Sequence, residues 1–325
     1  MIKDSLNLFG IARIYINVDL WGAYKLVWLK EGDEHKLAFQ TRYALFQSTI
    51  PQFGTTHAPA DFHRYIINGI REVLDDCVST YLDDVLVYSD SKDDHVGHVE
   101  CIMQRLLEAA WYLKPQKCKF HMETIRYLAV IISTQGISRD EDIVETVQNW
   151  SWEKKSQNGW LNPFFQVQQL LGFCNYYQPC IPNYSEKVEP LTWLTKKDGQ
   201  FVWEAEQHQA FEIIIFAFTT ALAFHHFEHE REVIIETDGS DYVSAGVLLQ
   251  QHDEGVLLSV AYFSKHHTPA ECDYDIYDKE LMVMIHALQG WKSECEGVVY
   301  SLKLIPHHKN LKNCLMKKHL NWRPV

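Results

Sequence analysis

The chain has 325 residues, of which 46% are hydrophobic, and its formal net charge at pH 7 is −13. This length allows two or three domains, and the hydrophobic fraction excludes a chain that is disordered throughout. No apolar run is long enough to cross a membrane and the N-terminus is too polar for a signal peptide, so we expect an intracellular protein without membrane contact. The acidic balance argues against a uniformly basic nucleic-acid binder, although it leaves room for a local basic groove.

The first predicted elements are a strand, a hairpin and a helix. Apolar and polar residues alternate over positions 12–20, which predicts a half-buried strand with Asp19 near its end. The runs KLVWLK and KLAFQT flank positions 31–34 and predict a hairpin. Pro59 suits the first turn of a helix that is predicted to run to about Leu74.

A second hairpin and a capped helix follow. Residues 77–89 contain two β-rich runs around Leu82-Asp83-Asp84, which predicts a hairpin with these acids at its tip. Ser91 and Asp94 have the spacing of a helix N-terminal cap. Basic residues then cluster locally, as Lys114, Lys117 and Lys119. Such a cluster can equally be a solvated face or part of a basic groove.

The second half of the chain predicts helices followed by a small α/β domain. The polar segment 151–163 predicts a linker, and helices follow it. From about residue 232, the sequence predicts three strands, a helix over about 273–291 and a further strand, which together indicate a small α/β domain. The eight cysteines form no CxxC pair, and Cys118 with His121 is an isolated half-site, so the thiols are expected to pack as small hydrophobes.

Three carboxylates at strand ends are the most informative chemical feature. If the hairpin of Asp83 and Asp84 pairs beside the strand of Asp19, the acids converge. Clustered carboxylates repel unless cations neutralise them, and hard oxygen ligands select Mg²⁺ or Mn²⁺. Two such ions about 4 Å apart stabilise in-line phosphoryl transfer. The alternative is that Asp-Asp is an ordinary turn dipeptide, as Asp75-Asp76 would be.

Several motifs resemble one family in order and spacing. Tyr81-Leu82-Asp83-Asp84 matches the Y-x-D-D box of reverse transcriptases, and residues 18–24 resemble their first catalytic box. Phe53-Gly54 followed by Ala58-Pro59, then YLKPQKCKFH, LLGFCNYY and PLTWLTKKD, resemble further segments. Over nearly its whole length the chain resembles the fungal-like, gypsy-type LTR-retrotransposon Pol polyprotein. The resemblance implies that Asp19, Asp83 and Asp84 bind the catalytic metal ions.

The resemblance also implies roles around the nucleotide and the primer. Tyr24 would lie under the incoming sugar and exclude a 2′-hydroxyl, whereas from the sequence alone it is an ordinary core tyrosine. Phe53 and Gly54 would shape the nucleotide-binding pocket. The primer grip would be Tyr127, Leu128 and Ala129. A glycine is usual at the third of these positions, so Ala129 is unfavourable for close backbone approach.

A second acidic set resembles ribonuclease H (RNase H). Asp238 follows an apolar strand and Glu280 lies on a predicted helix, and both resemble catalytic metal ligands of that domain. His307 stands where the third acid is expected, and imidazole is a poor Mg²⁺ ligand. The fourth acid would lie beyond Val325. We therefore predict that hydrolysis of the RNA in a hybrid, the endonuclease reaction of this domain, is weak or absent.

The resemblance implies an α/β (α+β) fold with three parts. These are a reverse transcriptase palm over 1–135 with the fingers largely missing, a thumb and helical connection over 136–200, and a truncated RNase H-like α/β domain over 201–325. The implied activity is RNA-directed DNA polymerase, a nucleotidyltransferase, with an RNA template, a DNA primer, an RNA/DNA hybrid and dNTP as partners. Gln40 and Gln178 replace usual basic residues and predict weaker binding. The alternatives are a catalytically inactive nucleic-acid-binding remnant of a transposable element and a structural relic.

Overall fold

The computed structural model describes residues 9, 12–52, 54–150, 155–156, 159–160, 163–196, 201–221, 224–252, 255–296, 298–300 and 302–306. The chain forms two compact units, unit 1 over residues 1–136 and unit 2 over residues 137–325. Most of the predicted linker 151–163 lies outside the described residues.

Unit 1 is built on a four-stranded sheet with the strand order β4-β5-β1-β6. Its strands are β1 (Ile14–Asp19), β4 (Val78–Tyr81), β5 (Asp84–Ser89) and β6 (Lys119–Met122). β1 and β5 pair antiparallel at the centre of the sheet, which confirms the strand predicted over 12–20 and the hairpin predicted over 77–89. The strands at the centre are buried because their apolar side chains pack under the helices.

Two helices cover this sheet, α1 (Ala58–Ile70) and α2 (Lys92–Glu108). The apolar stripe of α1 is Phe62, Ile66 and Ile70, which are at most 1% exposed and belong to the core of the unit. Ser91 caps α2 through its hydroxyl, which accepts a hydrogen bond from the Asp94 backbone, as the spacing predicted.

The hairpin predicted around positions 31–34 is wrong. Residues 25–30 form no strand, and a 3₁₀ helix occupies Glu34–Leu37 after another at Ala23–Leu26. The Glu34 carboxylate accepts a hydrogen bond from the Gly32 backbone, and this local bond closes a turn instead of a strand pair. The hairpin forms later, from β2 (Ala38–Gln40) and β3 (Leu45–Gln47).

The remaining strands of unit 1 are β7 (Thr124–Tyr127) and β8 (Val130–Ser133), which form a hairpin with a two-residue loop. β9 (Gly136–Arg139) starts at the last residue of this unit. Unit 2 then continues with α3 (Glu141–Gln148), β10 (Lys155–Ser156), β11 (Gly159–Trp160), α4 (Pro163–Tyr176), a 3₁₀ helix (Gln178–Cys180), α5 (Tyr184–Trp193) and α6 (Ala205–Thr220).

A second four-stranded sheet, with the order β14-β13-β12-β15, forms the rest of unit 2. Its strands are β12 (Val233–Gly239), β13 (Val243–Gln251), β14 (Leu257–His266) and β15 (Lys303–Pro306). The helices that follow β14 are α7 (Pro269–Cys272), α8 (Ile276–Gly290) and α9 (Lys292–Cys295). The three strands and the long helix predicted from residue 232 onward are confirmed.

Trp291, at the end of α8, is 1% exposed and packs in the core with Ile235 of β12 and Ala287 of α8. This packing fixes α8 across one face of the second sheet. Within the described residues, no helix is both long and apolar enough to cross a membrane.

Candidate active site

The strand register of unit 1 brings three acids to one end of the sheet. Asp19, the last residue of β1, lies directly opposite Asp84, the first residue of β5. Cα atoms of such antiparallel partners are about 4.5–5.5 Å apart, and their side chains share one face. The Leu20 backbone N–H donates to the Asp83 carbonyl at 3.2 Å, which holds Asp83 beside the same strand end.

The tip of this hairpin is a two-residue loop. Tyr81 pairs with Asp84, so Leu82 and Asp83 alone form the loop. Leu82 has a φ of 56°, in the left-handed region that a leucine adopts at a cost. Its backbone N–H donates to Nδ1 of His63 on α1 at 3.3 Å. No sequence motif indicated His63, because the contact joins residues that are 19 positions apart.

Two lysines neutralise Asp19. Its side chain is 12% exposed, and Lys114 Nζ lies 2.8 Å from Oδ1 while Lys117 Nζ lies 3.5 Å from Oδ2. The backbone holds Lys114 in place, because its N–H donates to the Asp19 carbonyl at 3.0 Å. The local basic cluster therefore includes two residues that face the acids, which composition alone left open.

Titration in the cluster follows from burial and charge. Burial raises the pKa of Asp84, and the neighbouring carboxylates of Asp83 and Asp19 raise it further, while Lys117 and Lys114 act in the opposite direction. The hydrogen bond to Asp19 raises the pKa of Lys114. A cation that approaches the acids stabilises the ionised form of Asp84, which the fold otherwise disfavours.

The donor set of this cluster fits a hard divalent ion. Oδ1 of Asp19 is buried and accepts no well-aligned hydrogen bond, although the Lys114 ammonium is close to it. Carboxylate oxygens are the ligands that Mg²⁺ and Mn²⁺ prefer. In the arrangement seen, the described part of the chain contains no group of three His, Cys, Asp or Glu side chains that could hold a metal ion. An ion at Asp19 therefore requires Lys114 to move away.

The other predicted residues of unit 1 are only partly described. Tyr24 lies on the 3₁₀ helix Ala23–Leu26, and its side chain and all of Phe53 lie outside the described residues. Gly54 has a φ of +92°, a backbone conformation that is unfavourable for residues with a side chain. In the β7–β8 hairpin Tyr127 is buried, and the loop residues Leu128 and Ala129 have φ values of 47° and 63°. Both loop positions thus adopt a conformation that suits glycine.

The acids of unit 2 are arranged differently. Gly239 and its strand partner Ser244 face α8, because a Cβ at Gly239 would lie 2.8 Å from Val283 and the Ser244 hydroxyl contacts His286 Nδ1 at 3.2 Å. Strand alternation directs the exposed Asp238 to the opposite face of the sheet. There, together with Glu236, it lines a cavity of about 370 Å³.

Glu280 lies on α8, one turn before Val283. Both of its carboxylate oxygens are buried and accept no hydrogen bond. The strand that carries Asp238 and the helix that carries Glu280 are therefore adjacent. The helix packs on one face of the sheet, while the Asp238 side chain is directed to the other face. His307, which the sequence places at the third acidic position, lies outside the described residues.

Residues 3–132 match the family described as reverse transcriptase (RNA-dependent DNA polymerase), and residues 203–302 match the RNase H-like domain found in reverse transcriptase. Over 311 residues, 96% of its length, the chain is 32% identical to the transposon Tf2-3 polyprotein of Schizosaccharomyces pombe. The chain carries a reverse transcriptase domain and an RNase H-like domain similar to those of retrotransposon polyproteins. The transposon Tf2-7 polyprotein of the same organism is similar to the same extent. The chain spans 23% of the length of either polyprotein.

Solved structures agree with the fold. The foamy viral protease-reverse transcriptase in complex with RNA/DNA hybrid has a TM-score of 0.75 at 19% identity, over 98% of this chain and 43% of that chain. Its complex with dsDNA has a TM-score of 0.76 at 18% identity, over 99% of this chain and 65% of that chain. These comparisons confirm the predicted fold class and the resemblance to retrotransposon reverse transcriptases, a family that generally uses divalent metal ions.

Proposed function

We propose that this chain catalyses RNA-directed DNA synthesis by two-metal nucleotidyl transfer at Asp19, Asp83 and Asp84. The observation that carries the proposal is the cross-strand register of Asp19 with Asp84, with Asp83 held one residue away. The proposal extends to residues 136–200 as thumb and connection and 201–325 as the RNase H-like domain.

The acids would hold Mg²⁺ or Mn²⁺, which when bound supplies charge neutralisation at the attacking 3′-hydroxyl and at the leaving pyrophosphate. Asp19 and Asp84 contribute carboxylates from two paired strands, so their spacing is set by backbone hydrogen bonds. Lys114 and Lys117 balance the charge of Asp19 until a cation takes that place. A site that is preorganised in this way needs little rearrangement beyond the two lysines.

Nucleic-acid partners follow from the same proposal. An RNA template, a DNA primer, their hybrid and a dNTP are the partners that RNA-directed DNA synthesis requires. Tyr24, Phe53 and Gly54 would lie at the nucleotide, and the β7–β8 hairpin with Tyr127, Leu128 and Ala129 would contact the primer. The exposed Gln40 contributes no charge to the template, so binding is expected to be weaker and less dependent on salt than with a basic residue at this position.

For unit 2 we propose an RNase H-like domain with weak or no cleavage of the RNA in a hybrid. Asp238 and Glu280 would be the metal ligands, and the unpaired, buried oxygens of Glu280 support a cation there. The separation of the two acids onto different faces of the sheet supports low activity. Robust cleavage of an RNA/DNA hybrid would contradict this part of the proposal.

Primer extension on an RNA template, with and without Mg²⁺, tests the polymerase. We expect Mg²⁺-dependent extension that Asp84→Asn abolishes, because the amide cannot carry the charge that holds a cation. Asp76→Asn is the matched control, since Asp76 belongs to another Asp-Asp dipeptide of the chain and is exposed in a turn. Extension that is absent, or equally lost in both variants, would sink the polymerase proposal. Salt-dependent hybrid binding without extension would instead favour a catalytically inactive binding remnant.

A further inference from the structure

The hairpin tip that carries Asp83 and Asp84 is held at two consecutive residues by two different elements. From β1, the Leu20 N–H donates to the Asp83 carbonyl at 3.2 Å. From α1, His63 Nδ1 accepts the Leu82 N–H at 3.3 Å. The first contact continues the pairing of the strands. The second contact comes from a side chain on a helix, so it depends on which residue occupies position 63.

The conformation of Leu82 makes this second contact important. A leucine with a φ of 56° is strained, because the left-handed region is unfavourable for a residue that carries a Cβ atom. Strained residues persist where their surroundings determine the conformation. The Leu82 side chain packs against the core of unit 1 and its N–H is bound by His63, so side chain and backbone are both fixed.

His63 is well placed to provide a rigid acceptor. Its neighbour Phe62 is 1% exposed and anchors α1 in the core, while the His63 ring is half-buried and lies 6.2 Å from the ring of Tyr81. Burial lowers the pKa of His63, so the neutral ring, which can accept a hydrogen bond at Nδ1, predominates at neutral pH. An arginine or lysine at this position would present no acceptor.

We propose that His63 is a positioning residue for the polymerase reaction: through Nδ1 it fixes the Leu82 backbone and thereby the placement of the carboxylates of Asp83 and Asp84. The inference rests on the proposed polymerase function for its catalytic consequence. Its structural part, a tip fixed by an imidazole acceptor, stands independently. His63 acts through the hairpin backbone and is not itself assigned a contact with nucleotide or metal.

The first test measures hydrogen exchange of the Leu82 amide by NMR in the full chain without added metal. His63→Leu removes the acceptor, and loss of one hydrogen bond is expected to speed exchange of this amide about five-fold. His63→Asn offers an oxygen near the position of Nδ1 and should retain most of the protection. Asn68→Leu, at an exposed position of the same helix, is the control and should leave the exchange unchanged. Equal exchange in wild type and His63→Leu would overturn the proposal.

The second test measures steady-state primer extension with the same variants. His63→Leu should lower kcat about five- to ten-fold with KM for dNTP changed by less than about two-fold, because the placement of the acids and not dNTP binding is altered. His63→Asn should restore most of kcat. Equal losses in the Leu and Asn variants, or a change confined to KM, would contradict a positioning role. If wild type does not extend a primer at all, the polymerase proposal fails, while the exchange result still decides whether His63 fixes the tip.

Discussion

Units 1 and 2 both carry acids near the end of a buried strand, but only in unit 1 do two such acids lie opposite each other on paired strands. In unit 1, Asp19 and Asp84 are partners across two hydrogen-bonded strands, so the ladder itself sets their separation. In unit 2, Asp238 is on a strand and Glu280 is on a helix, and the helix packs on the face of the sheet opposite to Asp238. Backbone hydrogen bonds therefore fix the spacing of acids on paired strands, whereas the spacing of acids on a strand and a helix depends on side-chain packing between the two elements.

The largest expected effect tests this contrast at the acids themselves. Asp84→Asn should lower primer extension by about 10²–10³-fold, the usual consequence of removing one charge-stabilising group. The fold should not lose stability, because burial and two neighbouring carboxylates already raise the pKa of Asp84 and the amide relieves that repulsion. Extension rates and urea unfolding of wild type and variant provide the comparison. Asp238→Asn should change the cleavage of a hybrid, which we propose is weak or absent, by far less than ten-fold.

A smaller effect is expected where a side chain from another element lies close to a glycine in each unit. A Cβ at Gly69 would lie 2.4 Å from the Trp111 ring in unit 1, and a Cβ at Gly239 would lie 2.8 Å from Val283 in unit 2. Gly69→Ala and Gly239→Ala should each destabilise its own unit by about 1–3 kcal/mol through overpacking.

Hydrogen-exchange mass spectrometry resolves the two units in this glycine experiment. Gly97→Ala is the control, since a Cβ at this helical position meets nothing within 4 Å and should stabilise α2 by up to about 1 kcal/mol. If either variant destabilises both units equally, the effect of overpacking at that glycine is not confined to its own unit, which contradicts the prediction.

Acidic pH should weaken unit 1 more than unit 2. His95 is 2% exposed, and burial followed by the proximity of His121 and His98 lowers its pKa. Because the unfolded chain binds the proton more tightly, stability is full above the unfolded value of about 6.5 and is lost as the pH falls through the folded value. In unit 2, burial and then Lys265 lower the pKa of His286, but Glu271 opposes them.

Hydrogen exchange of β5 and β12 at pH 7.5 and 5.5 measures this difference. His95→Asn should flatten the pH dependence of unit 1, because its amide lies near the position of Nδ1, which is 2.9 Å from the Ser89 hydroxyl, but does not titrate. A pH dependence of unit 1 that survives in His95→Asn would assign it to other groups.

The smallest effect concerns the β7–β8 hairpin. Ala129 has a φ of 63°, so Ala129→Gly should relieve strain and stabilise unit 1 by about 0.5–1 kcal/mol after the larger entropy of unfolded glycine is subtracted. Ala109→Gly is the control, because Ala109 has a φ of −77° and gains nothing from glycine. Thermal unfolding should show opposite signs for the two variants.

The sequence predicted the elements whose signal is local. Alternation identified β1, two β-rich runs identified the hairpin of Asp83 and Asp84, and the Ser91 cap identified the start of α2. Side-chain contacts between distant segments could not be read in this way. His63 at Leu82 and Lys114 at Asp19 join segments with no shared motif, and the Glu34–Gly32 hydrogen bond overrode a strand pattern.

Anomalous diffraction from crystals grown with Mn²⁺ tests the central claim most directly. Mn²⁺ should bind about 2.0–2.2 Å from oxygens of Asp19 and Asp84, with Lys114 Nζ displaced from its 2.8 Å contact with Oδ1. A saturating concentration of Mn²⁺ that leaves no anomalous peak between these strands, with Lys114 still paired to Asp19, would contradict a two-metal polymerase site.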